Sequence, residues 1–257
     1  MRSDNPPPAR VGVLRAGWRL LLATLHALHG VVLVLAVFPR LNPAQRRQRV
    51  QWWSARMLRQ LGLRLEVVGP SRPAGGTLIT ANHVSWLDIM AIHAVCPQAR
   101  FVSKSDVKAW PLLNRLIDSA GTLYIERANR RDAMRVVHQV SAALQAGDVV
   151  AVFPEGTTSD GHALLPFHAN LLQAAVAAHA PVQPVALRYR DAGAAVSPAT
   201  AFIGETTLAQ SMWMTARGRD VVVRVEWLAV QPTEGADRRA LAELLRAQIA
   251  QALAAPR

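Results

Sequence analysis

The polarity pattern of the chain changes character twice along its length. Residues 1–10 (MRSDNPPPAR) hold three prolines and few apolar groups and predict a loose leader. From Leu20 to Phe38, nineteen residues carry no formal charge, with Arg15, Arg19 and Arg40 at the margins. A bilayer span needs about 20 apolar residues, so this predicted helix stands between spanning and half-inserting. A cleaved leader is the alternative, but Phe38-Pro39-Arg40 offers no small-residue cleavage site. Basic residues flank both ends, so charge gives no clean orientation. Pro43 then opens a second predicted helix in which Val50, Trp53, Met57 and Leu61 recur at helical spacing. Arg46, Arg47, Arg49, Arg56 and Arg59 form its polar face, and Gly62 supplies a stop. Basic amphipathic helices with tryptophan settle at headgroup level, so residues 1–63 predict a membrane-associated helical hairpin.

From residue 64 onward the pattern shortens to strand-like runs between helices. The runs are LRLEVV, TLITA, RFVS, TLYI, VVAVF, VQPVAL and VVVRVEWLAV. Helical patterns cover 86–95, 130–146 (capped by Asn129, ended by Gly147) and 237–254. Such alternation predicts an α/β domain over residues 64–257, with a mixed, largely parallel sheet flanked by helices.

Charge sharpens the division. Residues 1–64 hold eleven arginines against Asp4 alone and so carry +10 of the net +12, whereas the remainder is nearly balanced. A basic end on a balanced body implies a local anionic partner such as anionic membrane lipids. No nucleic-acid-binding motif accompanies it. Cys96 is the sole cysteine, which excludes an intrachain disulfide, and the eight histidines match no metal-ligand spacing.

Candidate chemistry concentrates where TLITA runs into Asn82-His83-Val84-Ser85-Trp86-Leu87-Asp88. A histidine at a strand's end, before a helix, stands where α/β folds place function. Ser85 and Asp88 fit a capping box, which puts Asp88 in the first helical turn facing His83. A carboxylate bonded to one imidazole nitrogen fixes the tautomer and leaves the other nitrogen as a general base. Two rivals share these residues. Ser85 beside His83 fits a serine hydrolase, but no G-x-S-x-G elbow appears. Cys96, next to Pro97, reads as a small core residue rather than a nucleophile.

Three later segments join this one: Gly121-Thr-Leu-Tyr-Ile-Glu-Arg127, Phe153-Pro-Glu-Gly-Thr-Thr-Ser159 and Val182-Gln-Pro-Val185. In this order they resemble the glycerolipid acyltransferase family that includes bacterial lysophosphatidate acyltransferase, over about residues 64–190. Lys104, one of only two lysines, matches a family lysine near the acceptor phosphate. The resemblance implies His83 and Asp88 as the catalytic pair. It implies Asn82, Lys104, Arg127, Glu155, Gly156 and Thr157 at the substrate, with Glu155 ordering its loop or the acceptor's polar groups. It further implies transfer from acyl-carrier protein or CoA thioester to a lysophospholipid, with no cofactor, on the cytoplasmic face of a bacterial-type inner membrane. One departure stands out: Pro166-Phe167-His168-Ala169-Asn170 replaces the family's Phe-Lys-x-Gly. It leaves room for another acceptor, such as a lyso-ornithine lipid. A non-catalytic membrane-surface adaptor is the alternative of another class, with no use for His83, Asp88 and Glu155 together.

Overall fold

The computed structural model describes residues 10–69, 73, 75–104, 113–125 and 130–255. Asn129, the expected cap of the fifth helix, lies outside them.

The hairpin comes first. Helix α1 (Val13–Val32) continues through a wide turn of π type at Leu33–Val37 and a tight one at Phe38–Arg40. Helix α2 (Pro43–Leu61) starts on a capping box, with Asn42 Oδ1 accepting from the Gln45 N–H while Gln45 Oε1 accepts from the Asn42 N–H. It ends on Gly62 in the left-handed conformation, which a residue with a Cβ rarely adopts. The two helices are tied reciprocally: Trp53 Nε1 donates to the His26 carbonyl, and His26 Nε2 lies 3.0 Å from the Trp53 carbonyl. Trp53 therefore packs inside the hairpin, while Trp52 is exposed.

Seven strands follow: β1 (Leu63–Val68), β2 (Leu78–Ala81), β3 (Ala99–Lys104), β4 (Leu123–Ile125), β5 (Val149–Val152), β6 (Val182–Arg190) and β7 (Val221–Trp227). They form one sheet in the order β1-β7-β6-β2-β5-β3-β4, which puts β2 at its centre. Every pairing is parallel except β6 with β7, so the sheet is mixed and largely parallel, as expected. With Val222 opposite Arg190, the starts of β1 and β7 lie at the end of the sheet where β2 and β6 finish.

The period-two alternation of the strands sorts apolar side chains onto two faces. Ile79, Ala81, Ala151, Val185, Leu187 and Val223 build one core, beneath α3 (Leu87–Val95). Leu78, Val150, Val152 and Ala186 build the other, with α5 (Arg130–Gln145), α6 (Leu172–Ala177) and α8 (Arg238–Ala254). Helix α3 is buried nearly all round because α2 covers it and α1 covers α2. Two further helices stand among the described residues: α4 (Leu113–Ser119), and α7 (Leu208–Arg217) with its Thr207–Gln210 capping box.

The N-terminal helix lies along the body, in contact with α2, α4 and α7. Ala16, Ala23, Gly30 and Val31 face inward. Leu14, Trp18, Leu21, Leu25, Leu28, Val32 and Leu35 form an outward stripe, with Leu14 at 92% exposure. Val13–Arg40 is, among the described residues, the one helix long and apolar enough to cross a membrane. A contiguous exposed apolar stripe on a basic hairpin marks a membrane-contact face. The chain is membrane-associated through it.

Candidate active site

The carboxyl ends of β2 and β5, adjacent and parallel at the sheet's centre, deliver two loops to one place. Ligands of open α/β sheets bind at this end of the strands. The loop after β2 carries His83. His83 Nδ1 lies 2.7 Å from Asp88 Oδ2, and the histidine side chain keeps 19% exposure against none for the aspartate. With Nδ1 donating, Nε2 is left without a partner among the described residues.

Asp88 is held by more than the histidine. Its Oδ2 also accepts from the N–H groups of Val84 (2.7 Å) and Ser85 (2.9 Å), and its Oδ1 accepts from the Tyr189 hydroxyl (2.7 Å). A carboxylate without solvent needs such a donor set, because an unpaired buried charge costs several kcal/mol. Burial first, then the negative charge of Asp88 and the hydrogen bond itself, push the Tyr189 hydroxyl well above its ordinary value. It therefore stays protonated and donating. Tyr189, fully inside β6, was missed in the sequence; a tyrosine 101 positions from Asp88 gives no local signal.

This geometry corrects the capping expectation. Helix α3 begins at Leu87 with Trp86 at its cap, and the Ser85 hydroxyl is buried without a partner among the described residues. Asp88 reaches back to the backbone; Ser85 does not reach forward. The same burial removes the support for a Ser85 nucleophile, since its hydroxyl makes no bond to His83. Cys96 is buried in the core, as expected of a packing residue.

The loop after β5 wraps the histidine. Phe153 stacks on the His83 ring at 4.0 Å between centroids and 8° between planes, and Phe101 stacks behind it. Glu155 is buried, and its oxygens accept from the backbone N–H groups of His83 (2.7 Å) and Leu165 (2.9 Å). Burial pushes the Glu155 carboxyl above its ordinary value, and the Leu165 and His83 N–H groups oppose that shift. Of the two roles expected for Glu155, this geometry serves the ordering of the loop. Ser159 completes the wrap, its N–H donating to the His83 carbonyl at 2.8 Å.

The remaining expected residues separate. Asn82 is buried, with Nδ2 donating to the Leu187 carbonyl (2.9 Å) and Oδ1 accepting from the Leu187 N–H (2.7 Å). This corrects its assignment to the substrate: both ends of the amide are spent clamping β2 to β6. The Gly156 N–H donates to the Phe153 carbonyl at 3.0 Å, closing a turn that requires its positive φ. That N–H is not available to a reaction intermediate. Thr157 is exposed at the loop's tip. Lys104 is the last residue of β3, whose carboxyl end opens on the same side as those of β2 and β5. Arg127 lies outside the described residues.

A carboxylate-oriented imidazole, with no nucleophile bonded to it among the described residues, has the arrangement a general base needs. Such a pair serves enzymes that take a proton from a substrate group, hydrolases and transferases among them. Comparison with known proteins makes the class specific. A family model described as Acyltransferase matches residues 64–188. A 1-acyl-sn-glycerol-3-phosphate acyltransferase of Neisseria meningitidis serogroup B is 39% identical over 192 residues, covering 74% of this chain and 73% of that protein. A lyso-ornithine lipid O-acyltransferase of Pseudomonas aeruginosa is also 39% identical, over 197 residues, covering 76% of this chain and 75% of that protein. The crystal structure of the 1-acyl-sn-glycerophosphate acyltransferase PlsC from Thermotoga maritima shares the fold, with a TM-score of 0.71 at 20% identity over 95% of this chain and 97% of that one. The chain belongs to this acyltransferase family, and the protein is an acyltransferase.

Proposed function

We propose that the protein moves an acyl chain from an acyl-carrier-protein or CoA thioester to the free hydroxyl of 1-acylglycerol 3-phosphate, forming phosphatidate. The observation that carries this reading is His83, fixed through Nδ1 by a buried carboxylate, with its other nitrogen open. Nε2 takes the proton of the acceptor hydroxyl as that oxygen attacks the thioester carbonyl. The tetrahedral intermediate collapses with cleavage of the C–S bond, and the proton on Nε2 passes to the departing thiolate. Ester and free thiol are the products, and no covalent enzyme intermediate forms. Val84, Ser85 and Gly156 have spent their N–H groups, so the oxyanion donors come from elsewhere. Exposed Thr157 in the wrapping loop has no partner among the described residues and supplies one. Lys104 and Arg127 hold the acceptor phosphate. No cofactor takes part, and the hairpin holds the enzyme on the cytoplasmic face of the inner membrane.

The equal likeness to a lyso-ornithine lipid O-acyltransferase, together with His168 and Asn170 in place of the family's Phe-Lys-x-Gly, favours that lipid as the second acceptor. Purified enzyme in detergent, given labelled thioester with each lysolipid in parallel, separates the two. Product from lysophosphatidate that is abolished by His83→Ala supports the reading. Product from the ornithine acceptor alone moves the pathway and keeps the chemistry. Equal transfer by the variant removes His83 from the reaction.

A further inference from the structure

Four arginines converge where the hairpin joins the sheet, outside the site described above. Arg15 and Arg19 of α1, Arg59 of α2 and Arg64 of β1 line an open cleft of roughly 400 Å³ with Gly62, Leu63 and the first residues of β7. That volume lies within the range of about 300–1,000 Å³ usual for small-molecule sites. Among the described residues Asp220 is the only carboxylate in the lining, and it also pairs with Arg219 at 3.6 Å. Glu66, the nearest other acid in sequence, is shared between Arg64 and Arg190.

The cleft is built rather than incidental. Arg19 Nη1 donates to the carbonyls of Ala216 (2.9 Å) and Gly218 (2.8 Å), capping the end of α7 and fixing the guanidinium. Gly62 makes room for it, since a Cβ there stands 2.2 Å from Arg19 Cζ. Those carbonyls account for Arg19, and the carbonyl end of α2 favours Arg59. Nothing comparable accounts for Arg15, one helical turn before Arg19. The guanidinium groups of Arg15 and Arg59 have no ion pair or hydrogen bond among the described residues. With Arg64 offset by Glu66 and one exposed carboxylate, Asp220, against the other three guanidinium groups, the cleft keeps a net positive charge that favours an anion among them.

The surroundings name the anion. Arg15 stands between Leu14 and Trp18, the first two residues of the exposed apolar stripe. A cationic cleft beside a membrane-contact stripe sits at headgroup depth. It also lies at the end of the sheet where β2 and β6 finish, the end from which His83 projects. We propose that the cleft between α1, α2 and the start of β1 and β7 binds the phosphate of a bilayer lipid headgroup, seating the catalytic end of the sheet at the membrane surface. The proposal rests on the membrane association of the hairpin.

The test compares full-length protein with Arg15→Gln/Arg59→Gln and with Arg47→Gln/Arg49→Gln, which removes equal charge from the polar face of α2 before the cleft. Sedimentation with phosphatidylcholine vesicles, with and without phosphatidylglycerol, reads affinity. Acyl transfer in detergent reads the reaction without a bilayer. The cleft variant should lose about tenfold more affinity for the anionic vesicles than the control pair, because it loses charge-assisted hydrogen bonds as well as charge. Its transfer in detergent should stay near wild type. Equal losses in the two variants overturn the site in favour of diffuse attraction. A rise in Tm with inorganic phosphate that the cleft variant lacks, without a difference on vesicles, reassigns the cleft to a soluble phosphate. A raised KM for the thioester with unchanged vesicle binding reassigns it to the donor. Wild-type protein that ignores both vesicle types overturns the membrane reading itself.

Discussion

Replacing Tyr189 with phenylalanine isolates the part of the site that acts through Asp88. The ring stays in β6, still packed with Val185, Leu187 and Val223, and only the hydroxyl 2.7 Å from Asp88 Oδ1 is removed. A hydrogen bond to a buried charged group contributes about 1.5–3 kcal/mol, so unfolding free energy should fall by about that much. The carboxylate keeps its three donors on Oδ2 but loses its anchor on the other oxygen, so its plane and the imidazole bound to it can swing. If half of a ~2 kcal/mol interaction is felt in the transition state, kcat drops about fivefold; if all of it is felt, about thirtyfold. KM for either substrate should hold, because the tyrosine is buried behind Asp88. The same hydroxyl deletion in an Asp88→Asn background should cost little more, because both changes act on one element. The assay is steady-state acyl transfer at one pH, with kcat and KM separated and normalised to folded protein. Wild-type kcat, or a loss confined to KM, would refute the positioning role, and additive losses in the double variant would refute the route through Asp88.

Three further outcomes follow from the same structure. Asn82→Ala leaves the N–H and carbonyl of Leu187 unpaired between β2 and β6. It should destabilise the fold by about 2–4 kcal/mol, measured by denaturant melts, while the folded fraction keeps its acceptor KM. His93, buried with Nε2 donating to the Ala99 carbonyl, is lowered by burial to about 4 from 6.5. The unfolded chain therefore protonates first, and about 3 kcal/mol of stability should drain away as pH falls from about 6.5 to about 4. His93→Gln keeps a donor, and its melts should lack that slope. Gly30→Ala puts a Cβ 2.4 Å from Trp53 Nε1, against the indole that bonds α2 to α1. A loss of about 1–3 kcal/mol in thermal or denaturant unfolding is expected, and an unchanged midpoint would mean that the hairpin is looser than it looks.

The parts of this protein legible in its sequence are those whose causes are local. Pro43 and Gly62 bound α2 because one lacks an N–H and the other tolerates a positive φ. The strand runs declare themselves by β-branched clusters between turns, and each of the seven finds its place in the sheet. Helix α7 was missed although Thr207-x-x-Gln210 marks its start; α6, at six residues, leaves little periodicity to see. His83 and Asp88 lie five residues apart, so one turn of chain brings them together. What stayed hidden depends on contacts across the sheet. Asn82 meets Leu187 after 105 residues, and Glu155 meets the His83 backbone after 72. Spacing along the chain cannot tell a substrate contact from a clamp when the partner is so distant. The failed Ser85 cap has a local cause: Asp88 takes the Val84 and Ser85 N–H groups itself, which leaves the hydroxyl in the core.

The reversed pair of strands joins these parts. In an all-parallel sheet β1 would start at the end opposite His83, and α2 would deliver the hairpin's base there. Because β7 runs antiparallel to β6 and β1 follows β7, Gly62 and the start of β1 lie at the catalytic end. Helix α7 reinforces the connection from both sides. Its Ser211 hydroxyl accepts from Trp86 Nε1 at the mouth of α3, while its last carbonyls accept from Arg19 of α1. A membrane-contact helix and the helix that carries Asp88 are thus bolted to one rigid element. A lipid acceptor that keeps its chain in the bilayer presents its hydroxyl at the surface, so the proposed base, His83, must be held at a fixed height there. One antiparallel pairing and three side-chain hydrogen bonds at α7 supply that constraint.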